Sequence, residues 1–392
     1  MTRRATLGEL ARIFTRLGLT SFGGPAAHVA LFRDEFVRRR GWLSDAAYLD
    51  LVGAANLIPG PTSTEVAMHV GHRRAGWPGL LVAGTAFILP AVVIVAIIAW
   101  LYVSAGTRVA LDPLIAGVGP IVIALIVHAG WSIGRTAIRT PLTAGLAVVA
   151  IVASVVGLPE IAVLLGLGCV AVASAGIVRV RERMARAIAL ALPVDAISRR
   201  GRPPVDVGSV GWALGALGPT PLAILVEFVI IGATVFGSGY VLVALLQAEL
   251  VDRLGWITPA QLVDAVAVGQ ATPGPVFSTA TFIGFVMAGP IGAAAATVGI
   301  FLPAFLAVAL SIPVLGRLRA SATFRAFLDG VNAAAVGLLA LVAVRLGLDV
   351  LDEPVAWVVA IAALALLLRG VPSPLLIAIG AAIGVGRVLV GT

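Results

Sequence analysis

Long apolar runs alternate with short polar segments along the chain: Leu80 to Val103, Leu114 to Trp131, Leu142 to Leu158, Ile161 to Val178, Ala293 to Leu315, Val331 to Val344, Val355 to Leu368 and Leu375 to Val385. A helix needs about 20 mainly apolar residues to cross a hydrocarbon core of about 30 Å, and most of these runs reach or approach that length. They predict an all-α polytopic membrane protein, with the shorter runs tilting, thinning the bilayer or lying inside protein. Helix breakers interrupt the apolar sequence at Phe22-Gly23-Gly24-Pro25, Asn56-Leu57-Ile58-Pro59-Gly60-Pro61, Phe236-Gly237-Ser238-Gly239 and Gln270-Ala271-Thr272-Pro273-Gly274-Pro275. A broken helix in a membrane frees backbone N–H and C=O groups, and lipid cannot satisfy them. Such breaks persist only where they face protein, water or a ligand.

The breaks come in pairs because the chain repeats itself. Residues 14–97 slide onto 228–310 with one single-residue gap near Met68, and roughly one position in three is identical, which shared hydrophobicity alone does not give. The matches include Gly18 with Gly232, Glu35 with Glu249, Arg39 with Arg253, Gly41-Trp42 with Gly255-Trp256, Asp50 with Asp264, and Leu89-Pro90 with Leu302-Pro303. Two helical bundles are expected, a first repeat over 1–178 and a second over 221–392. A basic linker over 179–220 joins them, carrying Arg179, Arg181, Arg183, Arg186, Arg199, Arg200 and Arg202.

Loop charge orients the repeats, since Arg-rich short loops stay cytoplasmic. The first half is basic at Arg33 with Arg38 to Arg40, at Arg73-Arg74 and at Arg135 to Arg139. The matching second-half loops hold Glu249, Asp252 and Arg253, then Val286-Met287, then Asp349, Asp352 and Glu353. Opposite charge at equivalent loops predicts inverted topology. Residues 44–72 read as a re-entrant hairpin with Pro59-Gly60-Pro61 at its tip, while residues 7–40 read either as one tilted span or as two half-helices meeting at the Phe-Gly-Gly turn. Inversion then needs either an extra crossing around Val207 to Ala223 or single-pass first helices; Arg3 and Arg4 favour a cytoplasmic N-terminus and so the extra crossing, which leaves the C-terminus outside.

Composition agrees with a membrane setting: the chain is 60% hydrophobic and 12% charged, with a mean hydropathy of +1.09. The net charge of +8 then reports orientation first, so nucleic-acid binding is not expected. The single cysteine, Cys169, allows neither an intramolecular disulfide nor a cysteine-rich metal site. Residues 1–21 lack the apolar core and cleavage site of a signal peptide.

The breaks are also where chemistry is expected. Proline suits a first helical turn, so Pro61 and Pro275 read as helix starts, with Thr62, Ser63 and Thr64, or Ser278 and Thr279, close behind. A helix N-terminus carries about half a positive charge beside free N–H groups, which suits an oxyanion. Candidate substrate-binding residues are therefore Phe22, Gly23, Gly24, Asn56, Pro59, Gly60, Pro61, Thr62, Ser63 and Thr64 in the first half. In the second they are Gly237, Ser238, Gly239, Gln270, Thr272, Pro273, Gly274, Pro275, Ser278 and Thr279. Arg12, Arg16 and Arg33 are candidates to neutralise the anion, against a snorkelling role at the surface. Glu65 and His69, one helical turn apart, are candidates for proton coupling, against an uncoupled helix-end pair. No phosphate loop, nucleophile elbow or zinc-protease helix is present in the sequence. Neither an enzyme nor a cofactor or metal is expected, and energy must come from a gradient or the membrane potential.

These paired motifs, with Gly41-Trp42-Leu43, Thr62-Ser63-Thr64-Glu65 and Phe236-Gly237-Ser238-Gly239-Tyr240, resemble the chromate ion transporter family in its long two-domain form. The resemblance covers nearly the whole chain. It implies a prokaryotic inner-membrane protein with two oppositely oriented halves that exports chromate, with sulfate as the chemically similar anion. Partners are then an inorganic oxyanion and the lipid bilayer, with a homodimer left open. A carrier for sulfate, molybdate or an organic acid shares the same physical arguments; a membrane enzyme or lipid flippase is the more distant alternative.

Overall fold

The computed structural model describes residues 5–22, 24–104, 108–188, 218–236, 241–313 and 321–390. Fourteen helices lie among them. The first seven are α1 (Leu7–Thr20), α2 (Gly24–Arg33), α3 (Asp45–Ala55), α4 (Thr62–Ser104), α5 (Arg108–Ala137), α6 (Pro141–Val155) and α7 (Glu160–Ile188). The next seven are α8 (Pro221–Thr234), α9 (Val241–Leu246), α10 (Pro259–Ala271), α11 (Thr279–Ser311), α12 (Ala322–Val350), α13 (Pro354–Leu368) and α14 (Ser373–Val390). Both α2 and α9 continue into a π-helical turn, Asp34–Arg39 and Gln247–Arg253. Four stretches, in α4, α5, α11 and α12, are long and apolar enough to cross a membrane. The molecule is an all-α polytopic membrane protein. The proposed extra crossing falls mainly on residues 207–217, outside the described residues.

The order of elements matches between the halves, α1 to α7 with α8 to α14, and so do the capping devices. Ser44 caps α3 by accepting from the Ala47 N–H at 3.2 Å, and Thr258 caps α10 by accepting from Gln261 at 3.2 Å. Each supplies an acceptor to a helix-end N–H that has no partner within its helix.

Helices α4 and α11 are each folded double. Ala75-Gly76 and Ala288-Gly289 leave helical geometry, with Gly76 at φ 64° and Gly289 at φ 62°, a left-handed conformation that glycine adopts without a Cβ clash. In the first hairpin the arm 62–74 packs back on 77–104, with Gly71 against Gly79 and Ala83, and Gly84 against Met68. In the second, Gly284 lies against Gly292 and Ala296, and the Thr281 and Thr297 hydroxyls meet at 2.8 Å. The apolar run from Leu80 to Val103 is the long return arm of the first hairpin. The turn itself follows Arg73-Arg74 and is legible in Gly76-Trp77-Pro78 and Gly289-Pro290, breakers that the run-length argument passes over.

The two return arms lie side by side and run antiparallel. Trp77 to Ile88 face Phe301 to Ala309, while Val92 and Ala96 face Pro290 to Ala294. Helices α5 and α12 do the same, with Gly119 against Val350 and Gly134 against Val336. Around this second pair the halves interlock, because α5 packs on α13 and α14 while α12 packs on α6 and α7. The exchange around α5 and α12 is reciprocal, which is the mark of a two-fold relation between similar units. Close approach depends on small residues: Gly18 lies under the Phe87 carbonyl, and Gly232 takes the same place under Ile300.

Candidate functional site

The sequence breaks of the two halves meet each other. Helix α1 ends at Thr20 and α8 at Thr234, and the next residue of each, Ser21 and Val235, offers its carbonyl to the opposite half. The Gly60 N–H donates to the Val235 carbonyl at 2.8 Å, and the Gly274 N–H donates to the Ser21 carbonyl at 2.8 Å. Pro59 and Phe236 also pair as an isolated antiparallel bridge. These are the groups a broken helix leaves unsatisfied, and each half satisfies those of the other.

Both turns require glycine. Gly60 has φ 136° and Gly274 has φ 103°. A Cβ on Gly60 would stand 2.7 Å from the Ala304 Cβ and 2.6 Å from the Glu65 Oε1, and one on Gly274 would stand 2.9 Å from the Ala91 Cβ. Ala91 lies half-way along the arm 77–104, so the Pro-Gly-Pro turns sit deep, about 20 Å from the hairpin tips at 1.5 Å per residue.

Immediately past the turns the polar side chains are buried and several lack partners. Residues 61–70 are all buried. Neither Glu65 carboxylate oxygen has a hydrogen-bond partner among the described residues, nor do the Thr64 and Ser278 hydroxyls or the Gln270 Nε2. Thr64 and Ser278 occupy equivalent positions in the repeat. Buried polar atoms are nearly always hydrogen-bonded, so these orphans, which flank the two turns and include the equivalent pair Thr64 and Ser278, mark places for a ligand or an ordered water. Asn56 is exposed and its Oδ1 accepts from the Thr62 hydroxyl at 3.3 Å; Ser63 and His69 are buried along the same arm. Thr272 and Thr279 turn their hydroxyls to the carbonyls of Val268 and Val276 at 2.7 and 2.8 Å. Pro59, Pro61, Pro273 and Pro275 shape the turns.

Phe22 is exposed and Gly24 opens α2, while Gly23, Gly237, Ser238 and Gly239 lie outside the described residues. Two of the candidate arginines are engaged elsewhere. Arg16 meets Glu35 at 2.6 Å and Arg33 meets Asp45 at 2.7 Å, while Arg12 is exposed on α1. Burial pushes the Glu35 carboxyl up, but the guanidinium groups of Arg40 and Arg16 outweigh it and hold the group below its usual range. Sequence reasoning missed the partners of the turns: Ser21, Val235, Ala91 and Ala304. A signal for the alanines was present, because each follows a matched Leu-Pro pair. Among the described residues no group of acidic, histidine or cysteine side chains is arranged to hold a metal.

Two interlocked helical repeats, broken where they cross and lined there with unsatisfied polar groups, define a duplicated helical membrane protein with the build of a transporter. The profile of the family described as Chromate transporter matches residues 8–173 and 222–385. The chain is 32% identical over 392 residues to the chromate transport protein of Cupriavidus metallidurans, covering 97% of this chain and 92% of that protein. It is 30% identical over 390 residues to a probable chromate transport protein of Synechococcus elongatus, covering 97% and 95%. It is also 33% identical over 352 residues to a chromate transport protein of Pseudomonas aeruginosa, covering 84% and 79%. The chain belongs to the chromate transporter family. No solved structure matches it.

Proposed function

We propose that this protein is a secondary transporter that exports chromate, with sulfate as the competing anion, by alternating access of its two repeats, 1–178 and 221–392. The observation that carries the reading is the reciprocal bonding of the turns, Gly60 to Val235 and Gly274 to Ser21, beside the orphaned Thr64, Glu65, Gln270 and Ser278. The names of the relatives supply the substrate class. Antiparallel return arms support inverted repeats: if those arms cross the bilayer, the axis relating them lies in its plane. In this reading the N-terminus and linker are cytoplasmic and the C-terminus is outside.

The turn glycines commit their own N–H groups between the halves, so the anion is held by the hydroxyls of Thr62, Ser63, Thr64 and Ser278, the amides of Asn56 and Gln270, and the helix N-termini that follow. Arg12, Arg16 and Arg33 act at the rim, where they raise the local anion concentration and hand the ion inward. Glu65 and His69 carry the exchangeable proton. A cell negative inside favours exit of a dianion by about 4.6 kcal/mol per 100 mV, from about 2.3 kcal/mol per charge, more than three decades of gradient. The potential alone can drive export, and proton antiport is the second coupling.

The test is chromate and sulfate flux in vesicles of purified protein, with potential and pH gradient clamped separately. Flux that follows the potential at zero pH gradient supports electrogenic export. Glu65→Gln then decides the proton role: unchanged pH dependence in that variant sinks it. Flux of an unrelated organic anion that chromate does not inhibit would overturn the substrate assignment.

A further inference from the structure

The two repeats fold alike but are not packed alike. In the second half, α9 packs on α12, and α10 packs on α5, α12 and α14 as well as on its own hairpin. In the first half the principal contacts of α2 and α3 among the described residues are with each other, with the π turn and with α4. Burial follows. Leu49 on α3 is 60% exposed, while its counterpart Val263 on α10 is 3% exposed. Asn56 is exposed where Gln270 is buried, and Ala30 is exposed where Ala244 is buried.

Local structure does not account for the difference. Each unit has a π turn closed in the same way, with the Trp42 N–H on the Phe36 carbonyl at 2.8 Å and the Trp256 N–H on the Leu250 carbonyl at 2.9 Å. In the first half the Tyr48 hydroxyl donates to the Val29 carbonyl at 2.6 Å, tying α3 to α2 as one piece. What differs is the surface each unit meets. The exposed side of α3 carries Asp45, Asp50 and Asn56 with Leu49 and Gly53, a face suited to a watered cleft rather than to acyl chains.

Bonds that fasten the docked unit have no counterpart in the other. The Tyr102 hydroxyl donates to Asp264 at 2.9 Å, and Arg345 on α12 meets Asp252 at 2.8 Å. The positions equivalent to Tyr102 and Arg345 are Leu315 and Ser132, and the one equivalent to Asp252 is Arg38. The same bonds cannot form in the first half.

We propose that α2 and α3, with their π turn, are a mobile gate, and that in the alternate state they dock on α5, α12 and α7 as α9 and α10 now dock on α12, α5 and α14. The reading of the halves as a two-fold pair around the turns underlies this. In this reading the first-half side, where Asn56 is exposed, is the open one in this state, and the second-half side, where Gln270 is buried, is the shut one. Movement between the states releases Tyr102 from Asp264 and Arg345 from Asp252, so the shut state of the second half is the more strongly held of the two.

Crosslinking in a Cys169→Ser background tests this without reference to substrate. One pair, Asp252→Cys with Arg345→Cys, reports the docked second unit; the other, Arg38→Cys with Ser132→Cys, reports docking of the first. A short bifunctional thiol reagent is expected to link the first pair readily. Tyr102→Phe, a mild change that keeps the ring, is expected to raise linking of the second pair about three- to tenfold, as the loss of one hydrogen bond predicts. In the four-cysteine variant, linking one pair first is expected to reduce linking of the other at least about tenfold. Both links forming in the same molecules, or no link of the Arg38 and Ser132 positions even with Tyr102→Phe, would overturn the gate. The links are read on the protein itself, so they remain mutually exclusive even if chromate proves not to be the substrate.

Discussion

The π turns after α2 and α9 share a backbone and a Glu-Arg pair, yet their charge is built oppositely. In the first half Glu35 is surrounded by Arg16 at 2.6 Å, Arg40 at 2.7 Å and Arg39 at 3.7 Å. In the second, among the described residues, Arg253 alone serves two buried carboxylates, Glu249 and Glu227, the latter at 2.6 Å. The repeat explains how: Glu227 stands where the first half has Ile13, and Ile230 and Leu254 stand where it has Arg16 and Arg40. The shared pair sits among cations at one end and among carboxylates at the other. The same asymmetry reaches the turns, where a buried Glu65 in one half is matched by a buried Thr279 in the other.

The largest expected effect lies where the halves are most alike. Gly60→Ala or Gly274→Ala adds a Cβ at positive φ into contact with Ala304 or Ala91, an overpacking cost of about 1–3 kcal/mol before backbone strain is added. Loss of transport by more than about tenfold is expected in either variant, read as vesicle flux together with the melting temperature in detergent. Wild-type flux in both would remove the turns from the mechanism. Next comes the contrast between the charged clusters. Arg253→Gln leaves two buried carboxylates without their guanidinium, at a cost of about 3–5 kcal/mol. Arg39→Gln leaves Glu35 with Arg16 and Arg40, at a cost of about 1 kcal/mol or less. Equal losses of thermal stability in the two variants would show that the clusters are equivalent after all.

The smallest effect is on pH dependence. The folded-state pKa of Glu35 is lowered, so its contribution is present above the usual carboxylate value of 4.5 and is lost as pH falls below it. Burial raises the Glu249 carboxyl against the opposing pull of Arg253, so its contribution is fullest below 4.5 and is lost as pH rises through the folded value. Glu35→Gln should therefore flatten the acid-side loss of stability, and Glu249→Gln should flatten the loss on the rising side. Melting temperatures between about pH 4 and 8 would check this, and identical profiles for the two variants would contradict it.

Much of this was legible before folding. Apolar run length gave the long helices, and breakers in apolar context gave the interruptions at Pro59-Gly60-Pro61 and Pro273-Gly274-Pro275, since the rules behind both act within a few residues. The folded-back form of α4 was read only in part. A single apolar run measures length but not direction, and Gly76 reverses the chain just outside it. The arginines show the limit most plainly. Spacing put Arg12 and Arg16 on one face of α1, but whether Arg16 meets an anion or Glu35 depends on where a distant π turn packs.

The sequence by itself determined that the protein is an all-helical membrane protein, that it is duplicated, and that its helix breaks are paired, because composition, periodicity and repetition are properties of the chain. Only the tertiary structure decided that each break is completed by the opposite half, through Ser21 with Gly274 and Val235 with Gly60, and that among the described residues the second-half unit of α9 and α10 packs on more helices than its first-half counterpart. Those facts rest on hydrogen bonds and burial between residues far apart in the chain. Local propensity does not encode such contacts, and they arise only when both halves are folded against each other.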